Sequence, residues 1–345
     1  MVYNEEIRKN VKNKRKIFMF ERNKLEYLCD MKRVLEENLY DGGRYNIFVI
    51  FEPKIRVVMS QNIYDKIINH YLTRFVLMPK FSKYLCDRNC ATRKDMGTCY
   101  AIKLLKKDLE KYKKQQKKIY FLKLDIAKYF YTIDHHKLLT LLKKEFTEEE
   151  YNLMKVILDS TNFKYINQRI TYFSQKLGRD LPLYEHGKGL PIGNMTSQFL
   201  AIFYLSSLHH FMRHDLHLDF VNYMDDYIIL SDSKEYLKEC YEIIKEKIEK
   251  DYLLKVNTTK TYIASIKRGI PFLGHVFYIK KGKTCLRLAK STKKNIKRGI
   301  KRGRYYFEHG KISLNQLFCS IENYKYSYKF INDKTVENLI ARYWY

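Results

Sequence analysis

The sequence predicts an α+β fold, an antiparallel sheet with helices packed against one face, and three stretches carry that prediction. The first, 120-YFLKLDIAKYF, is an apolar strand that delivers Asp125 at its end and leads into a helix from about Asp134 to Lys144. The second, 219-DFVNYMDDYIILS, alternates as two short strands joined at Met224–Asp225, a hairpin with carboxylates at its tip. The third, 235-EYLKECYEIIKEKIEKD, is an amphipathic helix with Tyr236, Cys240, Ile243, Ile244 and Ile248 along one side, followed by strand-like 260-KTYIASI and 270-IPFLGHVFY. Strand, helix, hairpin, helix, strand is the order of an antiparallel sheet covered by helices.

The remaining elements follow in chain order. Residues 1–40 read as charged helix with Leu25, Leu28, Met31 and Leu35 at helical spacing, and 46-NIFVIFEPKIRVVM reads as two strands around a Glu52–Pro53 turn. Helical periodicity returns over 61–117, interrupted near Gly97. Residues 147–180 suggest another helix and a polar strand pair, and 189-GLPIGNMTSQFLAIFYLSSLHHFM a glycine turn into one long helix. In the C-terminal 65 residues, 290-KSTKKNIKRGIKRGRYYFEHG is a basic helix with Ile296 and Ile300 as its apolar seam. No repeat or Pro/Gly-rich linker divides the chain, so one multi-part domain is expected.

A chain of 345 residues with 46% hydrophobic content can bury substantial cores. Its 66 lysines and arginines against 38 acidic residues give +28, an imbalance that attracts polyanions, nucleic acid first among them. No stretch approaches the apolar length of a membrane span, and MVYNEEIRKNVKNKRKIFMF lacks a signal-peptide core, so a cytoplasmic location without a membrane partner is expected. Seven scattered cysteines suggest reduced thiols. Cys86, Cys90 and Cys99 lack paired zinc spacing, and the adjacent pairs His135–His136 and His209–His210 point to different faces. The 31 tyrosines, interleaved with lysine as in 108-DLEKYKKQQKKIYFLK, suit base stacking and phosphate neutralisation, or reflect composition alone.

Phosphoryl transfer from a nucleoside triphosphate calls for two magnesium ions held by carboxylate oxygens, and Asp125 with the Asp225–Asp226 pair are the natural candidates. Adjacent aspartates at a hairpin tip repel one another unless a cation intervenes. An exposed acidic turn is the alternative.

Taken together, 125-DIAKYFYTIDH, 189-GLPIGNMTSQ, 223-YMDD, 260-KT and 272-FLGH resemble the successive palm motifs of reverse transcriptases, while 52-EPKIR and 92-TRKDMGT resemble their finger motifs. The resemblance implies a right-hand polymerase: an N-terminal helical extension over 1–44, fingers over 45–120 and 141–188, a palm over 121–140 and 189–280, and a small basic helical thumb over 281–345. It implies RNA-directed DNA polymerase activity with two Mg2+ ions, or Mn2+ in their place. It assigns Asp125, Ile126, Asp225 and Asp226 to the metal site and Lys260 to protonation of the leaving pyrophosphate, or to a solvent-exposed lysine's lesser role. Lys54, Arg56, Arg93 and Lys94 fall where phosphates are neutralised, and Phe130 where an aromatic gate rejects a 2′-hydroxyl, a core aromatic being the alternative. Ile192, Gly193 and Gln198 fall at the nucleotide. Tyr223, Met224, Phe272, Leu273, Gly274, Lys293, Lys297 and Lys301 fall along primer and template.

Within the family, 192-IGNMTSQ carries Ile192 where retroviral, group II intron and retron enzymes have glutamine, which resembles the reverse transcriptases of diversity-generating retroelements and related antiviral-defence enzymes. The finger motif 94-KDMGT departs from the Lys-Gly-Lys-Gly-Thr of the retroelement group. The partners implied are a structured non-coding RNA template, the cDNA/RNA duplex, dNTPs, and an accessory protein or a second copy of the chain. A non-catalytic RNA-binding protein on a polymerase fold is the competing class, against which the three intact aspartates speak.

Overall fold

The computed structural model describes residues 7–9, 11, 13–51, 54–328, 331 and 334–344; the expected Glu52–Pro53 turn lies outside them. Two helices come first, α1 (Lys14–Arg22), whose N-terminus is capped by the Asn13 side chain, and α2 (Lys24–Glu36). The expected seam on α2 is half realised: Met31 is buried, whereas Leu25 and Leu28 are exposed. Strands β1 (Tyr45–Ile50) and β2 (Arg56–Gln61) form an antiparallel hairpin running from Tyr45↔Gln61 to Ile50↔Arg56. Asn62 caps α3 (Ile63–Tyr71), which continues through a π-helical stretch, Leu72–Leu77, into α4 (Met78–Phe81). A loop then leads to α5 (Thr98–Lys114), entered through Gly97 at φ +123°.

The segment carrying the first carboxylate is β3 (Tyr120–Asp125), followed by the short α6 (Tyr129–Thr132), α7 (His135–Leu142) capped by Asp134, and α8 (Glu148–Asp159) with a Thr147–Glu150 capping box. The expected polar strand pair is instead a helix, α9 (Lys164–Leu177). Ile166 and Ile170, four residues apart, are both fully buried, and Gly178 ends the helix in the left-handed conformation. The expected single long helix breaks at Leu205 into α10 (Met195–Tyr204) and α11 (Ser206–His214). The hairpin forms as β4 (Asp219–Tyr223) and β5 (Asp226–Ser231), and α12 (Lys234–Tyr252) follows. The buried side of α12 carries Leu237, Cys240, Ile244, Ile248 and Tyr252, while Tyr236 and Ile243 turn to solvent. After β6 (Tyr262–Ser265), a separate antiparallel sheet comprises β7 (Ile270–Phe272), β8 (His275–Lys280) and β9 (Lys283–Leu288). Strand β9 falls inside 281–345, the range expected as a basic helical thumb. The chain closes with α13 (Lys290–Glu308), α14 (Leu314–Ser327) and α15 (Thr335–Trp344).

The central sheet has the order β4-β5-β3-β6, every pair antiparallel. Both of its faces are covered, not one. Leu122, Leu124, Tyr227 and Ile229 join the core built by α10, α11 and α12. Phe121, Val221, Ile228 and Leu230 alternate to the other face, where they meet Ala101, Ile102, Leu105 and Leu109 of α5 and Ile270, Phe272 and Phe277 of the small sheet. Burial on both sides explains why β5 reads as a continuous apolar run. The β1–β2 hairpin and α9 share a third core, and the three C-terminal helices a fourth, around Leu288, Ile296, Ile300, Ile331 and Val336. Among the described residues no helix is long and apolar enough to cross a membrane.

Candidate active site

Register sets the site. In the β3–β5 ladder Asp125 stands directly opposite Asp226, so two carboxylates face each other across neighbouring strands and Asp225 sits beside them in the turn. Like charges so placed destabilise a sheet. The turn is held from outside: Met224 adopts φ +59°, costly for a residue with a side chain, and its carbonyl accepts a 2.8 Å hydrogen bond from Asn222 Nδ2. Asn222, fully buried, is in turn bracketed by the loop before α5, its N–H donating to Arg88 O and its carbonyl accepting from Cys90 N, both at 3.0 Å. Arg88 anchors that loop through buried ion pairs to Asp108 at 2.6 Å and Asp219 at 3.3 Å. Burial still pushes the Asp108 carboxyl up to about 6.

Each carboxylate has a different surrounding. Asp125 accepts from Asn257 Nδ2 at 2.9 Å and from Lys260 Nζ at 3.0 and 3.2 Å, while its backbone N–H donates to Thr261 Oγ1 at 3.2 Å. Asp226 faces Lys123 Nζ, 3.1 Å from Oδ1 without hydrogen-bond alignment and 3.3 Å from Oδ2, to which it donates. Asp225 has neither lysine against it. Its carboxyl is raised above the ordinary range chiefly by burial and then by the charge of Asp125, with Lys260 and Arg56 pulling the other way. Burial raises Asp226 as well, with Lys123 opposing. Ile126 has its side chain in the core, which leaves its main-chain carbonyl as its only oxygen donor. Among the described residues no three acidic, histidine or cysteine groups converge as a ready-made chelate, since the two lysines partition the carboxylates. The donor chemistry of Asp125 and Asp225 nonetheless suits hard divalent ions: their donors are carboxylate oxygens, and Asp225, raised by burial and by the charge of Asp125, has no lysine paired with it among the described residues.

Arg56 lies at the end of β2 and is exposed; its charge reaches both Asp225 and the Tyr131 hydroxyl. Lys54 and Lys94 are exposed on their loops. Arg93 is drawn elsewhere, its Nη1 donating to Cys86 O at 2.7 Å and Asn89 O at 3.4 Å, so it clamps the loop behind Asn222. Phe130 is partly buried against Tyr129, and its carbonyl accepts from Leu190 N at 2.6 Å. The 190–194 loop is pinned to the β1–β2 hairpin by Met59 N donating to Ile192 O at 2.7 Å and by Asn194 Nδ2 donating to the Tyr45 hydroxyl at 2.9 Å. Gly193, at φ +132°, is packed so closely that a Cβ there would lie 2.4 Å from Met59 O. Gln198 is exposed on the first turn of α10.

The family model for reverse transcriptase (RNA-dependent DNA polymerase) matches residues 52–277. The chain belongs to the reverse transcriptase family. Its fold resembles solved telomerase structures. The apo enzyme from Candida tropicalis is 14% identical, with 86% of this chain and 56% of that one covered and a TM-score of 0.50. The Candida tropicalis enzyme in complex with a TWJ fragment of telomeric RNA is 13% identical, with 75% and 49% covered and a TM-score of 0.49. The chain thus spans about half the length of the telomerase chains it matches. No curated protein matches it in sequence.

In this reverse transcriptase the residues expected along primer and template fall into two groups. Tyr223 and Met224 border the carboxylate turn. Phe272 is buried, while Leu273 and Gly274, both at positive φ, make the two-residue turn between β7 and β8, and the Gly274 carbonyl accepts from Thr292 Oγ1 at 3.0 Å. Lys293, Lys297 and Lys301 lie along α13; Lys297 and Lys301 reach over the ring of Tyr343 on α15, at 4.5 and 5.6 Å from its centre. Sequence reasoning missed Asn257, Thr261, Lys123, Asn222 and Arg88. The polar run 257-NTTKT around Lys260 was the available signal for the first two.

Proposed function

We propose that this chain copies RNA into DNA by template-directed nucleotidyl transfer from dNTPs, and that the in-register meeting of Asp125 with Asp225–Asp226 at the end of an apolar sheet is the observation that carries the reading. Asp125, Asp225 and the Ile126 carbonyl would hold two Mg2+ ions, or Mn2+, with Asp226 adding charge to the cluster. Bound there, such ions supply charge neutralisation for the attacking 3′-hydroxyl and the leaving pyrophosphate. The protein's own share is positioning. Arg56, already within electrostatic reach of Asp225, and the exposed Lys54 and Lys94 meet the triphosphate. Phe130, Ile192 and Gly193 shape the sugar pocket. Lys260, half exposed and resting on Asp125, is free to swing toward the departing pyrophosphate and give it a proton. Fingers over 45–120 and 141–188, palm over 121–140 and 189–280, and a thumb from 281 follow from this reading, with β9 as the thumb's base.

The finer assignment is a reverse transcriptase dedicated to one structured non-coding RNA, of the diversity-generating-retroelement type, with Ile192 in its central motif as support. The finger sequence 94-KDMGT departs from the retroelement pattern, which keeps an antiphage-defence enzyme as the second reading. A primer-extension assay on an RNA template tests the activity: wild type extends, and Asp225→Asn binds the template without extending. Extension by Asp225→Asn near the wild-type rate would refute the site. Sequencing the RNA that copurifies from cells decides between a single dedicated template and a mixed pool.

A further inference from the structure

Lys123 lies between the carboxylate hairpin and the small sheet. Strand alternation puts it on the same face of β3 as Asp125, two residues on, and diagonal to Asp226 across the β3–β5 ladder. Its Nζ reaches Asp226 on one side and, on the other, donates to the Pro271 carbonyl at 2.9 Å. Pro271 lies in β7, one residue before Phe272 and the Leu273–Gly274 turn. One ammonium therefore joins the carboxylate hairpin to the strand that carries the turn expected at the primer.

The two site lysines differ in how firmly they are held. Lys260 is 49% exposed, so water can take over its contacts with Asp125 when it moves away. Lys123 is only 16% exposed. Moving it would leave the buried Oδ1 of Asp226 without a counter-ion and the Pro271 carbonyl without its donor, and both losses are costly in a dehydrated site. A permanently held cation also blocks the approach of a second one to the same oxygens.

We propose that Lys123 is the fixed counter-ion of Asp226 and the strut between the catalytic hairpin and β7, so that Asp226 serves as an anchor for the Leu273–Gly274 turn rather than as a metal ligand. This rests on the reading of Asp125 and Asp225 as the metal-binding pair. Lys123 is then a positioning residue: it touches no substrate, and acts by fixing the primer-side turn relative to Asp125 and Asp225.

Two measurements test it, carried out on the full chain: the Mg2+ concentration giving half-maximal single-nucleotide incorporation, and binding of a labelled RNA–DNA hybrid in EDTA, without any metal. An anchor role predicts that Asp226→Asn and Lys123→Met each weaken metal-free hybrid binding by roughly tenfold, about 1.4 kcal/mol. The double variant is then no worse than the weaker single, and Lys123→Arg recovers at least half of the loss. Half-saturating Mg2+ should move less than about threefold in Asp226→Asn. If Asp226→Asn instead raises half-saturating Mg2+ by tenfold or more while hybrid binding stays at the wild-type value, Asp226 is a metal ligand and the proposal is wrong. Should Lys123→Met fail to fold by circular dichroism, the double variant, which removes both charges, supplies the hybrid measurement. Asp225→Asn is the control for the underlying reading: incorporation at the wild-type rate there overturns the metal site itself, whatever Lys123 does.

Discussion

Replacing Gly193 by alanine probes the joint between the 190–194 loop and the β1–β2 hairpin. The added Cβ would sit 2.4 Å from Met59 O, where ordinary contacts begin near 3.4 Å, so the carbonyl or the loop must retreat by about 1 Å. The φ of +132° adds backbone strain of roughly 1–3 kcal/mol for any residue with a side chain. The retreat also stretches the 2.7 Å bond from Met59 N to Ile192 O, worth about 1 kcal/mol. Together these come to about 2–4 kcal/mol, and if the loop shapes the nucleotide pocket the loss appears in dNTP use as a roughly 30- to 1000-fold fall in kcat/KM. Single-nucleotide incorporation kinetics on a saturating hybrid would measure it. Gly178→Ala is the control, since its φ is also positive, at +56°, but nothing lies within 4 Å of the new methyl. That variant should lose about 1 kcal/mol of stability and keep its dNTP kinetics. A Gly193→Ala enzyme with wild-type kcat/KM for dNTPs would refute the placement of this loop at the nucleotide.

Three further outcomes are expected. Ile192→Gln should lower misincorporation in a sequenced cDNA pool, because an amide against the sugar leaves an unpaired polar group when a nucleotide is misaligned, whereas an aliphatic side chain discriminates weakly; an unchanged error spectrum would remove fidelity from the explanation of Ile192. Alanine at Lys293, Lys297 and Lys301 together should weaken template binding for every sequence alike and reduce its salt slope by roughly one unit per lost phosphate contact, and a slope reduced by about one would mean that Lys297 and Lys301 serve Tyr343 instead. His209, fully buried with Nε2 2.7 Å from the Tyr227 hydroxyl, is pushed down to about 3 by burial, so it stays neutral in the folded protein while the unfolded chain takes up a proton below about pH 6.5. Its contribution is complete above that pH and is lost as the pH falls, by about 2 kcal/mol at pH 5. Asp108, raised to about 6, titrates with the opposite sign across pH 4 to 6, so the effect is read as the difference in Tm between wild type and His209→Phe at pH 8 and pH 5, and equal differences at the two pH values would count against it.

What could be read from the sequence was whatever local pattern decides. The apolar run 120–125 and the paired short runs of 219–231 announced β3, β4 and β5, and carboxylates closing those strands marked the candidate site. Segments failed where tertiary burial overrides composition. The polar, β-branched run 164-KYINQRITYF reads as strand, yet Ile166 and Ile170 bury only as neighbours on one helical face. Ile243 on α12 has the same chemistry as Ile244 and differs only in which neighbours the fold brings to it. Lys123, Asn222 and Arg88 were illegible for another reason: Lys123 meets Asp226, Asn222 meets Arg88 and Cys90 as well as neighbouring Met224, and Arg88 meets Asp219 as well as nearer Asp108, and no spacing along the chain records the distant meetings.

The separate core of the C-terminal helices has a bearing on how that bundle is supported. Leu288, Ile296, Ile300, Ile331 and Val336 share no buried residue with the clusters under the sheet, and the crossing from β9 to α13 is the single extended residue Ala289. Substitutions around that core are met first by its own members and reach the sheets through the turn at Gly274, whose carbonyl accepts from Ala289 N and Thr292 Oγ1, both at 3.0 Å. If α13 carries the duplex grip proposed for it, that grip rests on a core of its own, while β3 and β5 stay bound by the opposition of Asp125 and Asp226.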